Sequence, residues 1–549
     1  MTDNFTLEAR YDYALNENSG GTALEIVDCP PVDVAPAGQC ARSITLLGDF
    51  DDVLDGQSGA GYMDTTDVEH QEAALTGTLQ LGWADLIFTT GYQEQTSELD
   101  LEQANFPVTG PLGVDAILPA VVNEDFEQFS QEVRLQSSGN GPLSYMVGLY
   151  YEDSELNVNS AIGFFQAGVG AFAAPELSAT DLVVQAADAT QNSETWSGFA
   201  SVSYDLTEKL TVSGGLRYSD VTKTAVRDGY FGTIQPFPAG TQPQLLDLAR
   251  VSATADAALG ARLGGTAPFS TAKLSADEWM PSANVTYRLA EDATLYASYA
   301  HGFKAGGFNL SRSSDTFDPE TADAYEMGLK STWLDHRLMT NLAVFWSDYY
   351  DLQEAGVIYS STGTPLSFIG NVASSRARGV ELETSYAATA DLTFNASLSY
   401  LESQYVDYSE APCSPYQTAL GVCSSTMPGD LSGHTKSNAP KWSGRVAMDY
   451  EHPLTDNWTF QFNPSVYFRT KYYLQSLPED LTSQDGFVKV DLRAALNESN
   501  GNRSLALIVH NLFGEETYSF AGHAPTGPGS TQKIIDRGRV VGIQLSFNY

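Results

Sequence analysis

Four cysteines are spaced so that they could form disulfides or bind a metal ion. They fall into two local pairs, Cys29 with Cys40 and Cys413 with Cys423, each in a Pro-, Gly- or Ser-rich stretch between strand-like segments. Neither pair has the CxxC spacing of a zinc site, and no histidine cluster accompanies them. We therefore expect two loop disulfides formed in an oxidising compartment, with free thiols as the alternative.

Other chemistry finds little support in the sequence. The seven histidines are scattered without an HExxH pair, and the glycine-rich stretch 302–307 lacks the Gly-Lys-Ser/Thr of a phosphate loop. A calcium ion is one interpretation of an acidic run, and a solvated loop is the other; the run contains Asp49, Asp51, Asp52 and Asp55. We therefore expect no catalytic residues, no metal, no cofactor and no enzymatic activity.

The elements that must position these residues are alternating segments, each followed by a turn or loop. In residues 442–450 and 460–469, one set of alternate positions is mostly large and apolar, while the other is small or polar. Successive side chains of a strand point to opposite faces, so such segments predict strands with one apolar and one polar face. About 18 of these segments, roughly 9–15 residues long, follow one another along the chain.

Two kinds of connection tend to alternate between these segments. Short polar turns occur at 204–210, 289–293 and 388–392. The long connections predicted from the sequence are 15–71, 94–126, 155–193, 224–277 and 404–437. This alternation indicates antiparallel strands with tight turns on one rim and long loops on the other. Tyrosine pairs near segment ends, such as Tyr150-Tyr151 and Tyr472-Tyr473, fit aromatic girdles at two membrane–water interfaces.

The composition favours membrane-spanning strands over membrane-spanning helices. The 549 residues are 11% aromatic and 18% charged, with a mean hydropathy of -0.20. No stretch reaches the ~18 apolar residues that a transmembrane helix needs. Because charged residues recur on the face opposite the apolar one, a water-filled interior fits better than the packed core of a soluble β-sandwich. We predict an all-β fold, a transmembrane antiparallel β-barrel with long loops on one rim.

The excess of acidic residues limits which classes of molecule the protein can bind. The net charge of -41, from 69 Asp+Glu against 28 Lys+Arg, would repel a phosphate backbone, so no nucleic-acid partner is expected. The acidity suits solvated loops and could also attract cationic or metal-bearing ligands.

The two ends of the chain carry different signals. The last segment places Val541, Ile543, Leu545, Phe547 and Tyr549 on one face. It is similar to the C-terminal signal that the outer-membrane barrel-assembly machinery binds, with Gly542, Leu545 and either Phe547 or Tyr549 in the key places. Residues 1–13 lack the basic and apolar regions of a signal peptide, which we interpret as truncation.

Several segments resemble the barrel of TonB-dependent outer-membrane receptors. In the order of that family, they are Tyr296–Asn309, Phe317–Thr321, Tyr325–Lys330, Asn371, Arg378–Glu383, Asn438–Pro440 and Asn511–Tyr518. The resemblance implies a barrel of ~22 strands in outer-membrane lipid, with an N-terminal plug in the lumen. Residues 1–549 are then the barrel part, with about 18 of those strands and without the plug.

The resemblance also implies a function. Such a receptor takes up a scarce ligand, most often a ferric siderophore, and the TonB-ExbB-ExbD energy system acts on it through the plug. The ligand-binding residues are not specified by the sequence, and cobalamin, haem and oligosaccharides stay open. Two alternatives remain: an ungated passive outer-membrane pore, and a β-rich surface adhesin.

Overall fold

The structure is a computed structural model, and it describes residues 4–19, 25–28, 65–102, 108–109, 115–117, 119–139, 141–166, 170–171, 174–178, 180–235, 244–263, 269–310, 316–359, 365–414, 417, 421–424, 427–523 and 531–548. These ranges contain 28 strands, numbered in chain order, the α-helix Ala253–Leu263 and the 3-10 helix Asp480–Thr482. In this part of the chain, no helix is long and apolar enough to cross a bilayer.

Eighteen of these strands form one antiparallel meander, the wall, in which each strand pairs with the next wall strand along the chain. The wall strands are β1 (Phe5–Ser19), β3 (Thr65–Gln80), β4 (Ala84–Glu102), β7 (Pro119–Ser137), β8 (Leu143–Gln166), β9 (Leu182–Asp205), β10 (Leu210–Ile234), β12 (Phe269–Ala290), β13 (Ala293–Lys304), β16 (Glu320–Trp333), β17 (Leu338–Tyr359), β18 (Pro365–Thr389), β19 (Leu392–Asp407), β20 (Trp442–Thr455), β21 (Trp458–Arg469), β24 (Phe487–Glu498), β25 (Arg503–His510) and β28 (Val540–Phe547). The prediction of an all-β antiparallel wall with about 18 strands is confirmed.

The remaining elements lie in the connections. They are β2 (Glu25–Asp28), β5 (Val108–Thr109), β6 (Asp115–Ile117), β11 (Ala249–Arg250), β14 (Gly307–Phe308), β15 (Thr316–Phe317), β22 (Tyr472–Tyr473), β23 (Ser483–Gln484), β26 (Tyr518–His523), β27 (Thr531–Ile535), the helix α1 (Ala253–Leu263) and the 3-10 helix Asp480–Thr482. Within the described ranges, no pairing joins β1 directly to β28. Instead, the connections that flank these two strands meet, because β2 pairs with β27, which pairs with β26.

The two rims of the wall differ as predicted. Eight connections of two to five residues lie on one rim, for example 291–292 between β12 and β13 and 390–391 between β18 and β19. The other rim carries the long connections, among them 20–64, 235–268 and 408–441. Small buried cores occur on this loop rim, where Ala255 and Leu259 of α1 pack against Val183 and Phe231.

The strand register separates an apolar outer face from a polar inner face. Val446 lies opposite Val466, which lies opposite Val490, while the neighbouring Arg445 lies opposite Tyr467. The outer row is solvent-accessible, with Val446 52% exposed and Leu545 62% exposed. Because the exposed row is apolar and the charged row faces the lumen, the wall has the polarity of a barrel embedded in lipid.

Aromatic side chains form a belt on the outer face, toward the loop rim. This external aromatic belt consists of Tyr151, Trp196, Tyr218, Trp279, Tyr299, Tyr325, Trp346, Tyr400 and Trp442. Neighbouring rings pack together, with centroid distances of 4.4 Å for Tyr151–Trp196 and 4.8 Å for Tyr400–Trp442. On β17, about nine residues run from the turn to the belt at Trp346, enough for a tilted strand to cross the apolar layer.

Two details of the sequence prediction need correction. In a strand, adjacent tyrosines point to opposite faces, so Tyr151 joins the belt while Tyr150 donates a hydrogen bond to Glu152 on the inner face (2.6 Å). Tyr472 and Tyr473 form the loop strand β22, and Tyr472 is buried. Several wall strands are also longer than predicted: β10 has 25 residues, and β8 and β9 extend well into the predicted loop 155–193. Beyond the lipid, a strand no longer needs an apolar face, so its sequence resembles a loop.

Candidate functional site

The loop rim holds a polar junction built around Asn371 on β18. The Asp318 backbone N–H donates to Asn371 Oδ1 (2.7 Å), and Asn371 Nδ2 donates to the carbonyls of Asp318 (2.9 Å) and Asp351 (2.7 Å). Gln353 Nε2 donates to the carbonyls of Ala305 and Asp318, at 3.0 Å each. These bonds tie the connection 305–319 to the β17–β18 hairpin, so two segments of the family resemblance meet at one junction.

A second group, the mouth cluster, lies where the lumen opens at the loop rim. Tyr349 and Tyr405 share one lumen-facing row, because each lies opposite Ser375 in the register. Tyr405 is fully buried, and its hydroxyl donates to Glu354 Oε2 (2.7 Å). Lys436 Nζ lies 3.9 Å from Glu354 Oε1 and about 6 Å from the ring centroids of Tyr349 and Tyr405. The mouth cluster therefore places one ammonium group among aromatic rings and a carboxylate.

The electrostatics of the mouth cluster follow from burial. Burial lowers the pKa of Lys436, against the opposing effects of Glu354 and then Glu320. Burial, with Glu354 as the second cause, raises the pKa of Tyr408 to about 12. The Lys436 side chain keeps 21% of its surface accessible. A partly desolvated cation that still reaches the lumen can gain from a bound negative charge or an electron-rich ring.

The described residues of the connection 408–441 pack against Tyr405 of the mouth cluster and include one of the two cysteine pairs. Cys413 and Cys423 are joined by a disulfide, and the backbones of Ala411 and Gly429 exchange two hydrogen bonds (2.9 and 3.0 Å). The backbone N–H of Tyr405 donates to the carbonyl of His434 (3.0 Å). The connection is thus a folded cap that brings Lys436 to the lumen.

A further junction lies near the end of the chain. Asn511, which has a positive φ of 50°, exchanges hydrogen bonds with the backbone of Glu515 through both atoms of its amide (2.7 and 2.8 Å). Lys489 on β24 donates to Thr517 (2.5 Å), and Thr517 donates to Asp536 (2.5 Å). The segment 511–518 of the family resemblance therefore holds the last loop against the lumen side of the wall.

The remaining predicted residues are placed as follows. In β28, Leu545 and Phe547 lie on the outer face and Gly542 on the inner face. Tyr549, Cys29, Cys40 and the acidic run 49–55 lie outside the described residues. In the part of the chain that the structure covers, no group of three or more His, Cys, Asp or Glu residues could hold a metal ion. The sequence did not predict Lys436, Tyr405 or Glu354, because no periodic pattern links them.

The antiparallel wall, the long connections on one rim and the apolar outer face together define the class of protein: a large outer-membrane β-barrel with long folded loops on its external rim. The family model described as "TonB dependent receptor-like, beta-barrel" matches residues 4–512. The chain therefore belongs to the TonB-dependent receptor β-barrel family, as the resemblance indicated. Members of this family are receptors and transporters of the Gram-negative outer membrane, and not enzymes.

Comparisons with individual proteins agree with this family. The chain is 24% identical over 316 residues to the pesticin receptor of Yersinia enterocolitica, covering 56% of this chain and 38% of the receptor. The fold is similar to the ferric yersiniabactin uptake receptor FyuA from Yersinia pestis (TM-score 0.64, 15% identity, 89% of this chain, 62% of that chain). It is also similar to the ferric-catecholate import receptor Fiu from E. coli K12 in its closed form (TM-score 0.66, 14% identity, 100% and 72%). The chain thus spans 38% of the length of the curated relative.

Proposed function

We propose that this barrel takes part in TonB-dependent uptake of a scarce ligand, and that the ligand is a ferric siderophore. Two of the similar structures are named for ferric yersiniabactin uptake and ferric-catecholate import. The observation that carries the proposal for this chain is the mouth cluster, in which Lys436 faces the lumen among Tyr349 and Tyr405. The energy would come from the TonB-ExbB-ExbD system through the plug that the family resemblance implies.

The chemistry of the mouth cluster selects among ligands. Ferric siderophores commonly combine negative charge with planar, electron-rich groups, and both features stabilise a partly desolvated ammonium group. In the free protein, the negative charge of Glu354 balances the positive charge of Lys436 across an N–O distance of 3.9 Å. Because that separation is long for a charge-assisted hydrogen bond, a ligand oxygen can compete for the ammonium protons. We therefore expect an anionic ferric complex to bind better than a neutral or cationic one.

The test measures ligand binding to the purified barrel in detergent. The purified chain in detergent is titrated with ferric catecholate, ferric hydroxamate and ferric citrate complexes, and quenching of tyrosine and tryptophan fluorescence is followed. We expect Lys436→Gln to weaken the anionic complex about tenfold, while Lys330→Gln, on the inner face of β16, leaves binding unchanged. Equal binding of every complex by both variants would contradict the proposal.

A planar-bilayer recording distinguishes the passive pore. A barrel that acts as a receptor should show little steady conductance once its lumen is occupied, whereas an ungated pore should conduct continuously. Steady conductance that no ferric complex reduces would favour the pore.

A further inference from the structure

The outer face just above the external aromatic belt is acidic around much of the wall. The outer position next to the belt is a carboxylate on β8, β9, β10, β12 and β16, namely Asp153, Glu194, Asp220, Asp277 and Asp323, whereas on β13 it is His301, whose Nδ1 lies 2.9 Å from Asp323 Oδ1. Belt residues donate to several of them, for example Trp196 Nε1 to Glu194 (2.8 Å) and Tyr299 to Asp323 (2.9 Å). These strands would therefore repel anionic lipid headgroups at the interface.

The charge reverses on β18, whereas the outer positions next to the belt on β17 and β19 remain carboxylates, Asp348 and Glu402. Arg376 and Arg378 occupy outer positions of β18, in the row of Val380 and Leu382, and so face the lipid side. Their guanidinium carbons lie 4.5 Å and 5.1 Å from the ring centroid of Trp346. A third cation belongs to the same patch, because Lys441 Nζ lies 5.8 Å from the Tyr400 ring. We call Arg376, Arg378 and Lys441 the outer cation patch.

Two carboxylates orient the arginines but do not fully neutralise the positive charge of the outer cation patch. Arg376 Nε donates to Asp348 (2.6 Å), and Arg378 Nε donates to Glu402 (2.8 Å). Three cations against two carboxylates leave one net positive charge. Each guanidinium carries five N–H donors, and one carboxylate uses at most two of them. The arginines are thus oriented by Trp346 and their carboxylates, and still have donors for another oxygen ligand.

From these contacts we propose that the outer cation patch binds the phosphate of a phosphorylated lipid headgroup in the outer leaflet. The belt at Trp346 and Trp442 sets the depth, because tryptophan rings lie at the level of the headgroups. Arginine presents a planar fork that matches phosphate oxygens, and the apolar row below it, with Val380 and Val344, contacts the acyl chains. One patch of the wall therefore retains a specific lipid, while the acidic strands exclude it.

The experiment measures retained lipid. The full chain is reconstituted in phosphatidylcholine nanodiscs containing either bisphosphorylated lipid A or the same lipid after phosphatase treatment. Bound lipid is then counted by native mass spectrometry after detergent exchange. We expect the phosphorylated lipid to be retained by the unaltered chain, and Arg376→Gln/Arg378→Gln to reduce retention about tenfold. The dephosphorylated lipid should not be retained.

Controls separate this result from misfolding and from general charge effects. The double variant leaves Asp348 and Glu402 without their partners, so Lys441→Gln, which breaks no ion pair with them, serves as the second variant, with an expected drop of about threefold. Arg445→Gln removes a cation from the inner face and should retain lipid normally. Retention unaffected by the outer variants, or reduced equally by Arg445→Gln, would overturn the proposal. Displacement of the lipid by millimolar inorganic phosphate would also overturn it, since the patch would then be a site for a free anion.

Discussion

Asn371 and Asp318 exchange a pair of hydrogen bonds, one accepted and one donated by the Asn371 amide, at 2.7 and 2.9 Å. The pair imitates two facing residues of an antiparallel ladder and joins segments 53 residues apart. An amide has both a donor and an acceptor in the right places, and no other side chain of its length has both. The geometry of the loop rim at this point therefore depends on one side chain.

The first prediction concerns this pair. Asn371→Asp keeps an oxygen that accepts from the Asp318 N–H, but it replaces the amide N–H donor with a second oxygen. That oxygen faces the carbonyls of Asp318 and Asp351, so we expect the connection 305–319 to detach from β18. The local cost should be about 1–3 kcal/mol. Limited proteolysis should cut within 305–319 many times faster, while the heat-modifiable gel mobility of the barrel stays unchanged. Asn395→Ala, which removes one hydrogen bond to Asp449 in the lumen, is the matched control. Unchanged proteolysis in Asn371→Asp would refute the role.

The second prediction concerns the polarity of the wall. Val446 lies on the outer face of β20, midway between Trp442 in the belt and Tyr450 near the short turns. Val446→Arg places a charge in the apolar layer and should lower the free energy of unfolding in vesicles by about 2–4 kcal/mol. The neighbouring Arg445→Gln, on the inner face, should change it by less than about 0.5 kcal/mol. Urea titrations followed by tryptophan fluorescence measure both, and equal effects would contradict the assignment of faces.

The third prediction concerns the cap. Removal of the disulfide with Cys413→Ser/Cys423→Ser should loosen the connection 408–441 and not the wall, because the bond closes a loop with a sequence separation of only 10. A loop of that size is worth about 2–3 kcal/mol of local stability. Mass spectrometry after alkylation should find neither cysteine modified until a reductant is added. Alkylation of both residues without reductant would show that the thiols are free.

The fourth prediction concerns assembly in the cell. Phe547 lies on the lipid face of the last strand, at the position that the resemblance assigns to the assembly signal. We expect Phe547→Ala to reduce the amount of heat-modifiable barrel in outer-membrane fractions severalfold. Ser546→Ala, on the inner face of the same strand, should have no effect. Folding of purified Phe547→Ala into thin-bilayer vesicles should stay normal, since recognition and not stability is altered; a matching defect there would point to stability instead.

The sequence predicted the wall well for a physical reason. Lipid contact forces every second residue of a strand to be apolar, so segments such as 442–450 carry a period of two that is visible without any structure. Above the belt this constraint ends, and the sequence could not show that β8 continues to Gln166 or that β9 begins at Leu182.

The mouth cluster and the outer cation patch were not predictable in the same way. Lys436 meets Tyr349 and Glu354 only because a connection of the chain folds back over the lumen, and folding back leaves no periodic signal. Arg376 and Arg378 did follow the alternation, but they occupy positions that the pattern assigns to lipid, so only the register shows them beside Trp346. Asn371 belongs to the segments that carry the family resemblance, but only the structure identifies its hydrogen-bond partners, Asp318 and Asp351.

The pairing of β2 with β27 has a kinetic consequence. Each wall strand pairs with the next wall strand along the chain, so the wall can grow in sequence, and each closure spans a single connection that is short on one rim and long on the other. Glu25 and Lys533, in contrast, meet across nearly the whole length of the chain. We expect this three-stranded sheet to gain protection from hydrogen exchange after every wall strand, and pulse labelling during folding into vesicles would reveal the order. The loop rim would thus be the last part of the molecule to fold. A chain that ends before residue 531 could form most of the wall hairpins and would still lack the sheet of β2, β27 and β26.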